Sequence, residues 1–546
     1  MHNFNTEKNI TLNGELSSSF NCYFNFQVKR ILTQLDRDND SPTYGCFDRN
    51  HWHYKIRDFP SSILQQGVFV TEHLRKYNQE PEFTSETKAG EWSLAAINAL
   101  AKQVRRGGRV DEYYPYEDSY PASAFALYAV MRVLLDWMES DSDLISGVEW
   151  EGLRQLAQNL ALRSEPNAAN QYAAGIAGLA LATNLPEMKV SESMYETHAT
   201  ELFSLQHSEG WFNEYGGPDF GYLCVTIDAL TDYYDVTGDE RARMAIKSAI
   251  DFMASLVGVD DELPWTLNAR NTDYVVPYGL VRAAKNDTTA SWLVNKLFRN
   301  IDKSTHWIWA TDDRYHLHYI FCSLVRAIPF IDEMREGVKP ESSEITWLPG
   351  CGYYLRSLKN KATVFVATKK GGLLRIHTQG GNSFYVIDSG WRFRDNKVLW
   401  TTNWWKEFSD VDLEQNSISI AGKMVEAKFH KSKPLPHFVL RVLSFMVGKR
   451  LIPLLKKIMI FRAEKKQSPS YKRHIIFNES SITIKDEFHS NKNLIAYPSS
   501  RQNLRHVASA DSFHPEESRA TVYADQEYII KSNETYIIVK EIENVF

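Results

Sequence analysis

The chain has 546 residues, 43% hydrophobic and 24% charged, with a formal charge of −6. This is the composition of a globular chain of two or three domains, and it excludes a wholly disordered, collagen-like or polytopic membrane protein. The small negative charge argues against nucleic acid as a partner, since dedicated binders carry a broad basic surface. Five cysteines, Cys22, Cys46, Cys224, Cys322 and Cys351, lie far apart with no C-x-x-C pair. Neither a zinc knuckle nor a disulfide framework is expected, and no metal or cofactor is assigned. Residues 1–40 lack an apolar h-region and carry Glu7, Glu15 and Asp36. No signal peptide is read there, the cytoplasm is the expected location, and the segment is set aside as an N-terminal extension.

From 41 to 335 the sequence predicts helix after helix, separated by Gly, Pro, Asn and Asp. The predicted helices are Ser61–Tyr77, Trp92–Arg105, Ala122–Met138, Ala168–Thr183, Ser191–Leu205, Phe220–Tyr234, Glu240–Val257 and Arg314–Glu336. In Phe220–Tyr234, Leu223, Ile227, Leu230 and Tyr234 share one face; Gly238 is a stop and Asp239 the next N-cap. Such helices need a shared core, as in a bundle or an (α/α) toroid, and no fixed repeat marks a solenoid.

Residues 336–344 are polar and rich in breakers, and read as a linker. Beyond them, 345–546 carries short β-rich runs, among them Ala362–Ala367, Leu373–His377, Ser383–Asp388, Ser417–Ile420, His474–Phe477 and Ser481–Ile484. This texture predicts an antiparallel β-sandwich. The fold class is thus α+β multidomain. An insertion at 423–466 holds twelve Lys/Arg against two Glu. Its stripe of Val439, Leu443, Val447 and Leu451, flanked by Arg441, Lys449, Arg450, Lys456 and Lys457, suits a peripheral membrane contact through 434–462 or an acidic glycan. A helix packed on the sandwich with solvated lysines is the plain alternative.

Chemistry-bearing residues concentrate in loops that open helices. Glu214, Trp211, Asp219 and Tyr222 lie in Glu209–Tyr222; Asn170 and Tyr172 open an alanine-rich helix; Glu117 lies in Asp111–Tyr120; Arg270 and Tyr274 lie in Asn268–Tyr274. Each also has a structural reading, Asp219 and Asn170 as caps and Tyr222 as a half-buried tyrosine. His51 and His53 have the spacing of two strand-borne metal ligands, but no third ligand is fixed. His377 precedes a glycine-rich turn in the β region and is placed at a cleft between domains. The aromatic content of 13% suits sugar faces as well as cores.

Asn170-Gln-Tyr, Gln206…Glu209-Gly-Trp-Phe-Asn-Glu214…Tyr222…Asp228-Ala-Leu and, in the β region, Leu348–Arg356, His377…Asn382-Ser-Phe and Val386–Gly390 resemble the heparinase II/III-like polysaccharide lyases over 130–530. The resemblance implies a toroid followed by a β-sandwich and an anionic polysaccharide or oligosaccharide as partner. The implied reaction is β-elimination by abstraction of a uronate C5 proton. It makes Asn170, Tyr222 and His377 catalytic, and Tyr172, Arg270, Tyr274, Glu117, Glu214, Asp219, Trp211 and His53 substrate-binding. Asn170, with Arg270, would bind the carboxylate, Tyr222 would be the base, and Tyr222 or His377 would protonate O4. The sequence departs from the pattern at Leu223, where the family often has His, and at Gln379, the second His of His-x-His. A C5 epimerase, a glycoside hydrolase using Glu117, Glu214 and Asp219, and a non-catalytic glycan-binding protein are the alternatives.

Overall fold

The computed structural model describes residues 4–543 apart from 78–83, 141, 266–267, 271, 342, 359–360, 379–385, 396, 407–408, 428–430, 449–467 and 500–525, with side chains from residue 13 onward. The helical part contains α1 (Phe4–Leu32), α2 (Arg49–Trp52), α3 (Val68–Tyr77), α4 (Glu86–Gln103), α5 (Tyr120–Glu139), α6 (Trp150–Ala161), α7 (Ala169–Thr183), α8 (Glu196–Ser204), α9 (Phe220–Thr237), α10 (Glu240–Ala254), α11 (Tyr278–Ala284), α12 (Thr288–Phe298), α13 (Asp313–Tyr315) and α14 (Phe321–Ala327).

Helices α3, α5, α7, α9, α11 and α14 each pack on the next, and α14 returns to α3. This closed inner ring is the core of an (α/α) toroid, and α4, α6, α8, α10 and α12 pack outside it. The sequence sets the two layers apart. Outer helix α6 buries only Leu153, Leu156, Ala157 and Leu160, the stripe of a surface helix. Inner α7 is buried on nearly every face and is built from Ala and Gly. A Cβ on Gly178 would stand 3.0 Å from the Tyr128 amide nitrogen, so α5 and α7 meet nearly backbone to backbone. Helix α9 ends at Gly238, in the left-handed region at φ 66°, and Asp239 caps α10 through the Arg241 amide, as the sequence predicts.

A buried polar hub joins the ring. Arg326 of α14 pairs with Asp232 of α9 and donates to the Tyr128 hydroxyl of α5 at 2.8 Å. Tyr278 of α11 donates to Asp232 at 2.8 Å, and the Arg326 guanidinium lies over the rings of Tyr278 and of Phe69 of α3. Five of the six inner helices meet there.

Residues 1–40, expected as an extension, instead contribute α1 to this core. Leu16, Phe20, Tyr23, Val28 and Ile31 are buried, with Phe20 against Phe298 and Phe24 stacked on Phe321. The serines and asparagines between them hid a helical stripe.

The β part is wholly antiparallel among the described strands. One sheet runs β1 (Ile345–Leu348), β2 (Tyr353–Leu358), β3 (Ala362–Ala367), β4 (Leu373–Thr378), β5 (Val386–Asp388) in sequence order. A second has the order β10 (Val425–Ala427), β7 (Leu399–Thr401), β6 (Trp391–Arg394), β13 (Leu494–Pro498), β14 (Tyr528–Ile530). The third has the order β15 (Thr535–Glu543), β12 (Ser481–His489), β11 (Ser470–Phe477), β9 (Ser417–Lys423), β8 (Asp410–Glu414). The expected sandwich is therefore three five-stranded sheets. Alternation gives the first sheet two apolar faces. Tyr353, Leu355, Phe365, Ala367 and Leu373 join the helical core, whereas Tyr354, Val364, Val366, Leu374 and Ile376 join the inner core of the β part. Buried Arg473 ties the sheets, bonding Asp486 at 2.6 and 2.8 Å and pairing with Asp388 at 3.0 Å, while Trp391 donates to Asp486.

Within the insertion, helix α15 (Pro434–Val447) is described; Leu451, Lys449, Arg450, Lys456 and Lys457 lie outside the described residues, as do Gln379 and Asn382-Ser-Phe. No described helix is long and apolar enough to cross a membrane.

Replacing Arg326 by Leu strands Asp232 in the core without its cation. The variant is expected to lose about 3–5 kcal/mol of stability, read as a lower urea midpoint. A double variant, Asp232→Asn with Arg326→Leu, should recover part of that loss.

Candidate functional site

The loops that precede the inner helices supply the site. The 111–119 loop leads to α5 and is stitched by Asp111, which accepts the Tyr116 and Asp118 amides and pairs with Arg105. Tyr116 and Asp118 have φ of 63° and 53°, a region that non-glycine residues seldom occupy and that concentrates near functional sites. Tyr215, at φ 55°, marks the loop before α9 in the same way.

Glu214 crosses from that loop to cap α7. It accepts the Asn170 backbone amide at 2.7 Å and the Asn170 side-chain amide at 2.8 Å. Burial pushes the Glu214 carboxyl up to about 8, against the lowering effect of these bonds. Asp219 caps α9, accepting the Tyr222 amide and bonding the Thr272 hydroxyl and amide; burial raises its carboxyl to about 6. The Arg270 guanidinium lies 4.6 Å from the Tyr215 ring centre, and its charge lowers Glu214, Asp219 and Tyr222 together. Asn170, Glu214, Asp219, Tyr222 and Arg270 therefore form one cluster.

Tyr222 meets the edges of Tyr274 and Tyr319, which stack on each other at 6.0 Å. Burial raises the Tyr222 phenol well above its ordinary value, so it is neutral at neutral pH. A neutral phenol can donate a proton, one of the two roles expected of Tyr222. Beneath lies a single π-helical turn, His316–Ile320, a distortion frequent at functional sites. It presents His318, stacked on Tyr319 and Tyr315 and held far below its ordinary pKa by burial. Several buried polar atoms here have no hydrogen-bond partner among the described residues: Asn170 Oδ1, Arg270 Nε, Tyr274 hydroxyl, and both ring nitrogens of His318. Unsatisfied buried groups are rare in folded proteins, and a group of them in one place calls for a partner, whether water or ligand.

The other expected residues are engaged elsewhere. Tyr172 bonds His198 and Glu201 toward α8, on the side of α7 away from Glu214. Trp211 stacks on His207 and donates to Glu209, which also accepts the Gly350 and Cys351 amides at 2.6 and 2.9 Å. Trp211 is thus part of the joint between the helical and β parts. Glu117 accepts the Glu112 and Tyr113 amides and folds its own loop, with its carboxyl raised by burial. His53 is exposed at the end of α2 with its ring against Trp52 and Tyr54; His51 bonds the Arg57 carbonyl. The pair stands on one helical turn, not a strand. His377 is buried on β4, bonded to Asp260 at 2.6 Å, which raises its pKa. Thr226, one turn along α9, donates to the Tyr222 carbonyl.

Sequence reasoning missed His318, Tyr315, Tyr319, Arg314 and Tyr113. Arg314 pairs with buried Glu112 at 3.0 Å and stands over Tyr113, closing one wall. The run Tyr315-His-Leu-His-Tyr319 was the available signal. The β part reaches the same loops: Trp405 donates to the Gly216 carbonyl at 2.9 Å and Lys370 to the Asn268 carbonyl at 2.7 Å.

The fold, an (α/α) toroid followed by antiparallel sheets, is like that of a solved polysaccharide lyase. The chain is similar to a chondroitin AC lyase of Streptomyces coelicolor A3, solved with chondroitin sulphate, at TM-score 0.53 and 9% identity over 97% of this chain and 79% of that one. A mutant of that enzyme (TM-score 0.47, 8% identity, 97% and 79% covered) and a β-L-arabinofuranosidase of Geobacillus stearothermophilus T6 (TM-score 0.27, 9% identity, 90% and 92% covered) are too distant to carry an argument. No protein-family model and no curated protein matches the sequence.

The raised Glu214 carboxyl has a consequence for stability. Between the ordinary carboxyl range and about pH 8 the folded chain keeps a proton that the unfolded chain has lost, so this contribution falls as pH rises through that window. Glu214→Gln, always neutral, removes the fall. From about pH 5 to about pH 8 the variant is expected to gain about 1–3 kcal/mol relative to the parent chain, measured by urea unfolding at both pH values.

Proposed function

We propose that the protein is a polysaccharide lyase-like enzyme, related to the heparinase II/III-like lyases, that cleaves a uronate-containing glycan by β-elimination. The observation that carries the reading is the set of unpartnered buried polar atoms around Tyr222, at the N-terminal ends of the inner helices. Helix N-termini favour anions, and a uronate carboxylate is an anion. Arg270 and the side-chain amide of Asn170 bind that carboxylate and withdraw charge as the C5–H bond breaks. When Glu214 is protonated it can donate to the Asn170 oxygen, which turns the amide nitrogen toward substrate. The neutral imidazole of His318 accepts the C5 proton. The C4–O4 bond then breaks, O4 takes the phenol proton of Tyr222, and the electron pair from C5 becomes the C4=C5 double bond. His377, tied to Asp260, has a positioning role at the joint.

A panel of uronate polysaccharides, read by the ultraviolet absorbance of unsaturated products and by mass spectrometry, tests this. Tyr222→Phe and His318→Ala are each expected to lose about 10²–10⁴-fold in kcat. Glu117→Gln should change kcat by less than about tenfold, because its carboxylate serves its own loop. Saturated cleavage products would favour a hydrolase, and inverted uronates without cleavage a C5 epimerase. Full activity in Tyr222→Phe would reject the mechanism.

A further inference from the structure

Helix α15 is apolar on its outer sides and stands away from both cores. Leu435, Phe438, Phe445 and Met446 are 71%, 65%, 70% and 73% exposed. Val439, Val442, Leu443 and Val447 are 40–45% exposed, and Ser444 is the helix's buried residue. Leu435, Phe438, Val442 and Met446 follow one another at steps of three, four and four, so they share the outermost face. An exposed apolar face of this kind marks an interaction site.

The surrounding charge says what covers it. From Ala427 to Ala463 the sequence has nine Lys/Arg and no Asp or Glu, in a chain whose net charge is −6. Lys431 and Lys433 precede the helix, and Lys449 and Arg450 follow it in sequence. Cations beside exposed Phe, Leu and Met form the pattern that lies in the headgroup layer of an anionic bilayer. At 14 residues the helix is roughly 21 Å long, too short to span a bilayer and suited to lying in its plane.

Two side-chain contacts tie it to the helical part. Arg441 pairs with Asp58, and Phe445 meets the edge of Tyr116 at 5.2 Å between ring centres. Tyr116 belongs to the 111–119 loop, whose Tyr113 lies under Arg314 at the wall of the candidate site. Helix α15 therefore stands beside the loop that leads to α5 and the candidate site.

We infer that α15 docks this protein on an anionic lipid bilayer, with Leu435, Phe438, Val442 and Met446 inserted and Lys431 and Lys433 at the headgroups. The docking does not depend on the lyase reading. Only its corollary does, that the glycan acted on is one held at a membrane surface.

The test is co-sedimentation of the full chain with vesicles of phosphatidylcholine alone or mixed with phosphatidylglycerol. Binding is expected to the mixed vesicles at low salt and to weaken at 1 M salt, where the Debye length is about 3 Å. Phe438→Ser with Met446→Ser should reduce it at least about tenfold. Both side chains are exposed, so an unchanged melting temperature shows the fold intact. Tyr222→Phe should bind vesicles as the parent does, which separates failure here from failure of the catalytic reading. No binding to phosphatidylglycerol vesicles at low salt, or equal binding by the double variant, overturns the inference. A dimer in light scattering that the double variant dissociates, without vesicle binding, would reassign the face to a second copy of the chain.

Discussion

The toroid depends on one buried ion pair, Arg326 with Asp232. Two charges withdrawn from water are costly, and the cost is offset only where the partners are close and the remaining donors and acceptors are satisfied. Here Tyr128 and Tyr278 complete the hydrogen bonding of Asp232, and the rings of Phe69 and Tyr278 flank the guanidinium. Contributions from α3, α5, α9, α11 and α14 are all needed at one point. The ring can close in one arrangement, which a purely apolar interior of alanine and leucine would not specify.

That closure positions the site. With inner helices locked side by side, the loops that begin α5, α7, α9 and α11 and the π turn that leads into α14 gather around Tyr222 and Tyr319. Glu214 serves α7 although it belongs to the loop of α9, and Asp219 holds the loop of α11 through Thr272. The β part then presses on two of those loops through Trp405 and Lys370, and Glu209 secures the joint. The unpartnered atoms of Asn170, Tyr274 and His318 are tolerated because the scaffold around them is over-determined.

Much of the architecture was legible in the sequence. The strand Ala362–Ala367, the first half of Ser481–His489 and the helices α5, α7, α9 and α10 announce themselves by period and by caps such as Asp239. Asn170, Glu214, Asp219, Tyr222, Arg270 and Tyr274 drew notice because polar residues at helix starts are conspicuous, and the fold makes them neighbours. Helix α1 was not, since its apolar stripe is diluted by Ser17, Ser18 and Ser19. His318 was hidden for a different reason: a π turn shifts the register, and no 3.6-residue count stacks it on Tyr319. Trp211, Tyr172 and His377 were misassigned because residue type does not reveal which neighbour a side chain satisfies. Trp211 is taken by Glu209, Tyr172 by His198 and Glu201, and His377 by Asp260.

The first β-sheet, apolar on both faces, makes the two halves of this chain inseparable. Cutting through the polar stretch at 336–344 would sever one covalent connection but leave Tyr353 and Phe365 pressed into the helical core. The fragments of such a nicked molecule would stay together. Either half made alone would present a broad water-repelling surface and precipitate.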